Sequence, residues 1–127
     1  MKFRKIPLLL AGLVLAVQLM SGTAHAGKSS VTIQTPSAVL KGSELVITLT
    51  VKHNANNFLH HTEWVYVKVN DKEVSRWSYT ASNLPPGGVF TKQIKVDATG
   101  DLAITAEASC NLHGSSGTTS AKVAVTD

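Results

Sequence analysis

The chain has 127 residues, with 12 Lys and Arg against 8 Asp and Glu and a single cysteine. This length is typical of one domain and argues against a multidomain enzyme. Three of the basic residues stand near the N-terminus: Lys2, Arg4 and Lys5. Removing these three from 12 leaves nine basic residues against 8 acidic ones, so the remainder is nearly neutral. We therefore expect no nucleic-acid partner and no electrostatic binding to a membrane surface.

The N-terminal segment has the three parts of a secretory signal. After the basic residues comes an apolar run over residues 6–20, and then the small-x-small triplet Ala24-His25-Ala26. This order predicts a cleavable signal peptide over residues 1–26, cut after Ala26, and a periplasmic location. An uncleaved membrane anchor is the alternative. It is disfavoured because Pro7 and Gln18 interrupt an apolar run that is shorter than the roughly 20 residues needed to span a bilayer.

The domain expected after cleavage, residues 27–127, has the pattern of strands rather than of helices. Apolar residues alternate with polar ones, and turn residues such as Pro85-Pro86-Gly87-Gly88 separate the alternating segments. In chain order, the predicted strands cover residues 31–34, 44–53, 63–69, 73–80, 89–96, 102–108 and 121–125. Short strands at this spacing predict an all-β fold, a seven-stranded immunoglobulin-like antiparallel β-sandwich.

The histidines of this domain fall into two clusters. His53, His60 and His61 lie at the end of one predicted strand and in the loop that follows, and His113 comes shortly after Cys110 at the end of another. If both strand ends meet at one rim of the sandwich, a thiolate and several imidazoles would form a transition-metal site. Adjacent residues in extended backbone point to opposite sides, so we favour His60 over His61. The predicted ligands are therefore His53, His60, His113 and Cys110.

The residues alone leave other interpretations open. A lone cysteine is often a buried bystander, and loop histidines are often only solvated. Zinc would suit a structural or hydrolytic site of this composition. Copper electron transfer would also suit it, although the usual axial methionine is missing because Met1 and Met20 both precede the domain.

Two short segments resemble a known family, the superoxide reductases, which include neelaredoxin and desulfoferrodoxin. The family's Cys-Asn-x-His-Gly signature is similar to Ser109-Cys110-Asn111-Leu112-His113-Gly114 here. Its His-Pro-x-Thr-x-x-His-His-x-x-aromatic segment resembles the stretch that runs from His53 to His60-His61-Thr62-Glu63-Trp64. The resemblance implies a mononuclear iron, cycling between Fe2+ and Fe3+, that reduces superoxide to hydrogen peroxide with electrons from an unidentified donor.

The resemblance also implies roles for single residues. Cys110 would be the axial thiolate, and His53, His60 and His113 would be three of the family's four imidazole ligands. The fourth histidine of the family lies in an N-terminal Lys-His-Val-Pro segment, whereas the comparable stretch here, Lys28-Ser29-Ser30-Val31, has none. Lys28 would stand in for the family's catalytic lysine near the open coordination position.

Two rival functions remain in view. The same four ligands could hold copper or zinc in a non-enzymatic carrier or electron-transfer domain. Alternatively, a metal-free sandwich could act as a binding module in sulfur or electron-transport assemblies. Cross-strand packing is the simplest interpretation of the aromatic residues on neighbouring strands: Trp64, Tyr66, Trp77 and Tyr79.

Overall fold

A computed structural model describes residues 17–21 and 27–127. Nine strands are present in these residues: β1 (Val17–Ser21), β2 (Ser30–Pro36), β3 (Ala38–Leu40), β4 (Glu44–Lys52), β5 (Thr62–Val69), β6 (Lys72–Ser78), β7 (Val89–Asp97), β8 (Leu102–Cys110) and β9 (Thr119–Thr126). They form two sheets, with the strand orders β1-β2-β4-β7 and β3-β9-β8-β5-β6. This part of the chain contains no helix long and apolar enough to cross a membrane. The prediction of an all-β sandwich is confirmed.

Each of the predicted strands overlaps one observed strand, and two further strands were not predicted. The short β3 pairs in parallel with β9, and every other strand pair is antiparallel. Strand β1 lies inside the predicted signal peptide and pairs with β2, Val17 opposite Pro36. Strand β2 also pairs with β4 on its other side. It would therefore keep one neighbour in this sheet if β1 were removed with the signal peptide. The rest of the predicted signal, residues 1–16 and 22–26, lies outside the described residues.

The core lies between the two sheets and follows the alternation in the sequence. In β4 every second residue is buried, and these residues face the buried side chains of β5 and β8 across the sandwich. The fully buried side chains include Ile47, Leu49, Val65, Val67 and Ile104. Burial of one such aliphatic side chain stabilises the fold by about 1.5–3 kcal/mol. The core therefore holds the strand ends, from which the loops leave, in fixed positions.

The aromatic residues of β5 and β6 lie on two different faces. Trp64 and Tyr66 stack on the outer face of the five-stranded sheet, with ring centroids 5.7 Å apart, and the guanidinium of Arg76 lies over both rings. Trp77 and Tyr79 instead pack against the core. This separation follows from the register, which places Trp77 opposite the buried Val65.

The strand pairing brings both histidine clusters to one end of the sandwich. Thr62 at the start of β5 is paired with Cys110 at the end of β8. The loop before β5, which carries His60, and the loop after β8, which carries His113, therefore leave the sheet side by side. His53 follows the end of β4 in the opposite sheet and faces the same rim.

Candidate metal centre

Cys110 is held in a tight turn that directs two backbone donors at its sulfur. The backbone N–H and C=O groups of Cys110 both bond to Gly114, at 2.9 and 3.1 Å, and Gly114 has a φ of +80°, which favours glycine. The N–H groups of Leu112 and His113 each lie 3.4 Å from Sγ. The sulfur is thus buried, oriented by its own loop and supplied with two hydrogen bonds that would stabilise a thiolate.

His53 presents its Nε2 atom to the rim. Its Nδ1 lies 2.7 Å from the carbonyl oxygen of Ala55 and its Nε2 lies 3.3 Å from that of Gly27, so Nδ1 is the better placed of the two nitrogens to donate a hydrogen bond. Burial lowers the pKa of His53 below its usual 6.5, although hydrogen bonds to Ala55 and Gly27 act in the opposite direction. A neutral ring that donates from Nδ1 would leave the lone pair of Nε2 free for a metal, the arrangement found for most metal-binding histidines.

A turn centred on Asn57 places His60 beside His53. The Asn57 side chain accepts hydrogen bonds from the backbone N–H groups of Leu59 and His60, at 3.0 and 2.9 Å. The rings of His60 and His53 then meet edge to face, with centroids 4.6 Å apart. The ligand atoms of His53, His60 and Cys110 all lie within 4.8 Å of one another.

His113 lies at the exposed edge of this group. Its Nδ1 is 3.1 Å from Nε2 of His60, and the two rings are 4.8 Å apart. The bonds from a metal to nitrogen and sulfur are about 2.0–2.3 Å, so two ligand atoms on opposite sides of one ion lie roughly 4.4 Å apart. Of the predicted ligands, the structure thus brings His53, His60 and Cys110 together, while His113 adjoins this group through His60 and does not share its spacing with the other two.

His61 is kept out of this group by its own contacts. Its ring is 4% exposed, and its Nδ1 bonds the carbonyl oxygen of Asn57 at 3.0 Å. Its backbone N–H donates to Oδ1 of Asn111 at 3.0 Å. It is a buried structural residue, rather than a surface group, in the segment that carries His60.

One participant in the site has no signal in the sequence. The carbonyl oxygen of Gly27 lies 3.1 Å from Nδ1 of His113 and 3.3 Å from Nε2 of His53. Any residue type offers a backbone carbonyl, so no motif could have pointed to Gly27. Lys28, the predicted catalytic residue, follows directly and is half-buried. Its backbone therefore borders the site.

The arrangement of polar atoms fits a bound cation. Nε2 of His53 lies 3.3 Å from the carbonyl oxygen of Gly27, and Nδ1 of His113 lies 3.1 Å from the same oxygen. The other groups at this point, a buried sulfur and further imidazole nitrogens, form the mixed donor set that transition metals prefer.

The fold and the site together define a class: an immunoglobulin-like β-sandwich that gathers histidines and one cysteine at a single end. The chain belongs to the desulfoferrodoxin family, whose family model matches residues 21–116. The resemblance predicted from the two short segments is therefore confirmed. No curated protein matches the sequence.

Solved structures with the same fold include members of two groups. The first includes a superoxide reductase (neelaredoxin) from Ignicoccus hospitalis, with 16% identity and a TM-score of 0.59 over 84% of this chain and 82% of that one. It also includes a protein from Thermotoga maritima assigned as a superoxide reductase, with 25% identity and a TM-score of 0.57 over 75% of this chain and 84% of that one.

The second group consists of CARDB domains. The CARDB domain of a Pyrococcus furiosus protein, solved in complex with di-metal ions, has 18% identity and a TM-score of 0.62 over 82% of this chain and 98% of that one. At such identities the similarity shows the shared fold alone. The fold is therefore common to superoxide reductases and to other domains.

Proposed function

We propose that this protein binds one iron ion through His53, His60, His113 and Cys110 and reduces superoxide to hydrogen peroxide. The observation that carries the proposal is the approach of the ligand atoms of His53, His60 and Cys110 to within 4.8 Å of one another. His113 joins this group through its 3.1 Å contact with His60. Membership of the desulfoferrodoxin family supports iron as the metal.

The side chains divide the work of such a reaction between them. Iron held by His53, His60, His113 and Cys110 would supply the one electron that, with two protons, converts superoxide to hydrogen peroxide, and an unidentified donor would replace that electron. Cys110 is buried and holds its sulfur against two N–H groups. His113 is exposed, so a small anion reaches the site from its side. The ammonium of Lys28 would attract that anion.

We also propose that the protein is exported to the periplasm. The basic residues, the apolar run and the Ala24-His25-Ala26 triplet of residues 1–26 support a signal peptide that is cut after Ala26. The mature chain would then begin at Gly27. N-terminal sequencing of protein recovered from the periplasm tests this, and a protein that keeps residues 1–26 would contradict it.

The enzymatic proposal is tested with protein loaded with Fe2+. We expect it to consume superoxide with formation of one hydrogen peroxide for each superoxide, and oxidised protein to show a sulfur-to-iron charge-transfer band. Cys110→Ala should lose both the band and the activity. Leu112→Ala is the matched control, because Leu112 lies in the same turn but its side chain is exposed. Failure to bind iron, or an active Cys110→Ala variant, would refute the proposal.

A non-enzymatic copper or zinc domain is the second candidate. Three imidazoles and one thiolate suit a tetrahedral ion. A CARDB domain with the same fold was also solved in complex with di-metal ions. Elemental analysis of protein purified from its native compartment separates the candidates, because copper or zinc at one ion per chain would favour this second function.

A third candidate uses no metal and makes the sandwich a binding module. It predicts that the double variant His53→Ala with His113→Ala leaves partner binding unchanged. Loss of bound metal without any loss of partner binding would favour it over both metal-dependent functions.

A further inference from the structure

Gly27 is in contact with two of the proposed ligands, and its backbone conformation and its closeness to His113 both favour a glycine. Besides its carbonyl contacts with His53 and His113, its α-carbon packs directly against the His113 ring. A Cβ at this position would lie 3.0 Å from Nδ1 and 3.2 Å from Cγ of that ring. A larger residue would therefore crowd the His113 imidazole by a few tenths of an ångström, and the φ of +79° at this position also favours glycine.

The chain just after Gly27 is fixed by contacts that do not involve residues before it. Ser29 is completely buried, and its hydroxyl lies 2.8 Å from that of Thr62. Its N–H donates to the carbonyl oxygen of Gly114 at 3.3 Å. Its own carbonyl accepts two hydrogen bonds from Ser116, both 3.0 Å long. Gly27 is only two residues from this anchor, so a cut before Gly27 leaves its anchorage intact.

Cleavage after Ala26 would change the chemistry of Gly27. In the uncut chain its nitrogen belongs to a peptide bond, and an amide nitrogen has no lone pair to offer a metal. In the cut chain the same atom is a primary amine, a good nitrogen donor to transition metals. The amine and the carbonyl oxygen of one residue can close a five-membered ring around a metal ion.

We propose that Gly27 is itself a metal ligand, through its α-amino nitrogen and its carbonyl oxygen. The proposal rests on the proposed metal site and on cleavage after Ala26. It gives the site the additional nitrogen donor that His53, His60 and His113 do not supply. The carbonyl oxygen of Gly27 already lies 3.3 Å from Nε2 of His53 and 3.1 Å from Nδ1 of His113, so the residue is in place beside both proposed ligands.

The test compares two chains that differ by one residue. The first begins at Gly27, and the second keeps Ala26 in front of it, which turns the amine into an amide but leaves the carbonyl in place. Metal-free samples should have matching circular dichroism and matching thermal midpoints, because Ser29 anchors both. Co2+ is the probe, since its thiolate and ligand-field bands report directly on the site.

We expect the chain that begins at Gly27 to bind Co2+ at least about tenfold more tightly, since loss of an outer-shell partner already costs 10–100-fold. The ligand-field spectra of the two chains should also differ. A second readout is the reaction of the N-terminal amine with cyanate, followed by mass spectrometry. Co2+ should slow this reaction in the chain that begins at Gly27 and not in the chain that keeps Ala26.

The outcomes separate this proposal from the one on which it rests. Equal Co2+ affinities, or cyanate reactivity that Co2+ does not change, would overturn the role of Gly27. If both chains still showed the thiolate-to-cobalt band, the metal site itself would stand. If neither chain bound Co2+, both proposals would fall. The proposed role of Gly27 would also be refuted if the exported protein began at another residue.

Discussion

Asn111 and His61 are joined by a reciprocal pair of hydrogen bonds. The N–H of Asn111 donates to the carbonyl oxygen of His61, and the N–H of His61 donates to Oδ1 of Asn111, both at 3.0 Å. Nδ2 of Asn111 donates to the carbonyl oxygen of Leu59 at 3.1 Å. One side chain next to Cys110 thus clamps the backbone on both sides of His60, and this clamp sets the distance between the sulfur and that imidazole.

Asn111→Ala should weaken metal binding while the sandwich still folds. It removes both side-chain hydrogen bonds that hold the His60 loop against the Cys110 turn. The Co2+ dissociation constant should rise about 10–100-fold, as for other losses of groups that orient metal ligands. Competition with a chelator measures this change. Asn54→Ala is the control, because Asn54 lies in the same loop and is exposed. Equal affinities for the two variants would contradict the role of the clamp.

Ser29→Ala should reduce both stability and metal affinity. Ser29 and Thr62 are buried, and their hydroxyls bond each other at 2.8 Å, so the variant leaves the Thr62 hydroxyl without that partner. The free energy of unfolding should fall by about 1–3 kcal/mol, the usual cost of an unsatisfied buried polar group. Urea unfolding measures it, with the exposed Ser120→Ala as control. A loss no greater than that of Ser120→Ala would show that the hydrogen bond between Ser29 and Thr62 adds nothing to this anchor.

Gly88→Ala should disturb the site by displacing the backbone of His53, against which Gly88 packs. A Cβ at Gly88 would lie 2.7 Å from the carbonyl oxygen of His53, which is too close for backbone that cannot rotate away. His53 also donates its N–H to the carbonyl oxygen of Gly88 at 2.8 Å, so any shift moves this ligand. We expect destabilisation of about 1–3 kcal/mol in thermal or urea unfolding, and weaker Co2+ binding.

Gly87→Ala is the matched control for this change. A Cβ at Gly87 would have its nearest neighbour, the carbonyl oxygen of Val89, at 3.6 Å, an ordinary contact. This variant should keep the stability and the Co2+ affinity of the parent chain. Similar losses from both variants would mean that the loop, rather than its contact with His53, is responsible.

Tyr66 should make stability depend on pH in the alkaline range. Burial, together with the hydrogen bond that its hydroxyl donates to Glu107 at 2.7 Å, raises its pKa from 10.0 to about 12. The unfolded chain loses this proton at lower pH than the folded chain does. Stability from this group is therefore complete below about pH 10 and is lost as the pH rises towards about 12.

The measurement is urea unfolding at several pH values, with ultraviolet absorbance to follow phenolate formation. Tyr66→Phe should remove part of the alkaline loss of stability, together with the phenolate signal that appears near pH 12. An unchanged dependence on pH in Tyr66→Phe would show that the contact with Glu107 does not bear on folding.

Much of the fold could be predicted from local patterns. The alternation in β4 determines which of its residues are buried, because successive side chains of a strand point to opposite faces. The same rule favoured His60 over His61, but neither residue lies in a strand of the structure. His60 lies with His53 and Cys110, whereas the ring of His61 bonds the carbonyl oxygen of Asn57 instead. It did not reveal β3, whose three residues are too few to show an alternation, nor the pairing of β1 with β2.

The candidate ligand side chains could be proposed from the order of residues along the chain, because thiolate and imidazole chemistry belongs to particular residue types. The contact of Gly27 with His53 and His113 could not, because it is made by a backbone atom that every residue possesses. Only the folded chain, in which Ser29 is buried against Thr62 and Gly114, brings that carbonyl oxygen between His53 and His113. Long-range packing decided this, and no local pattern carries it.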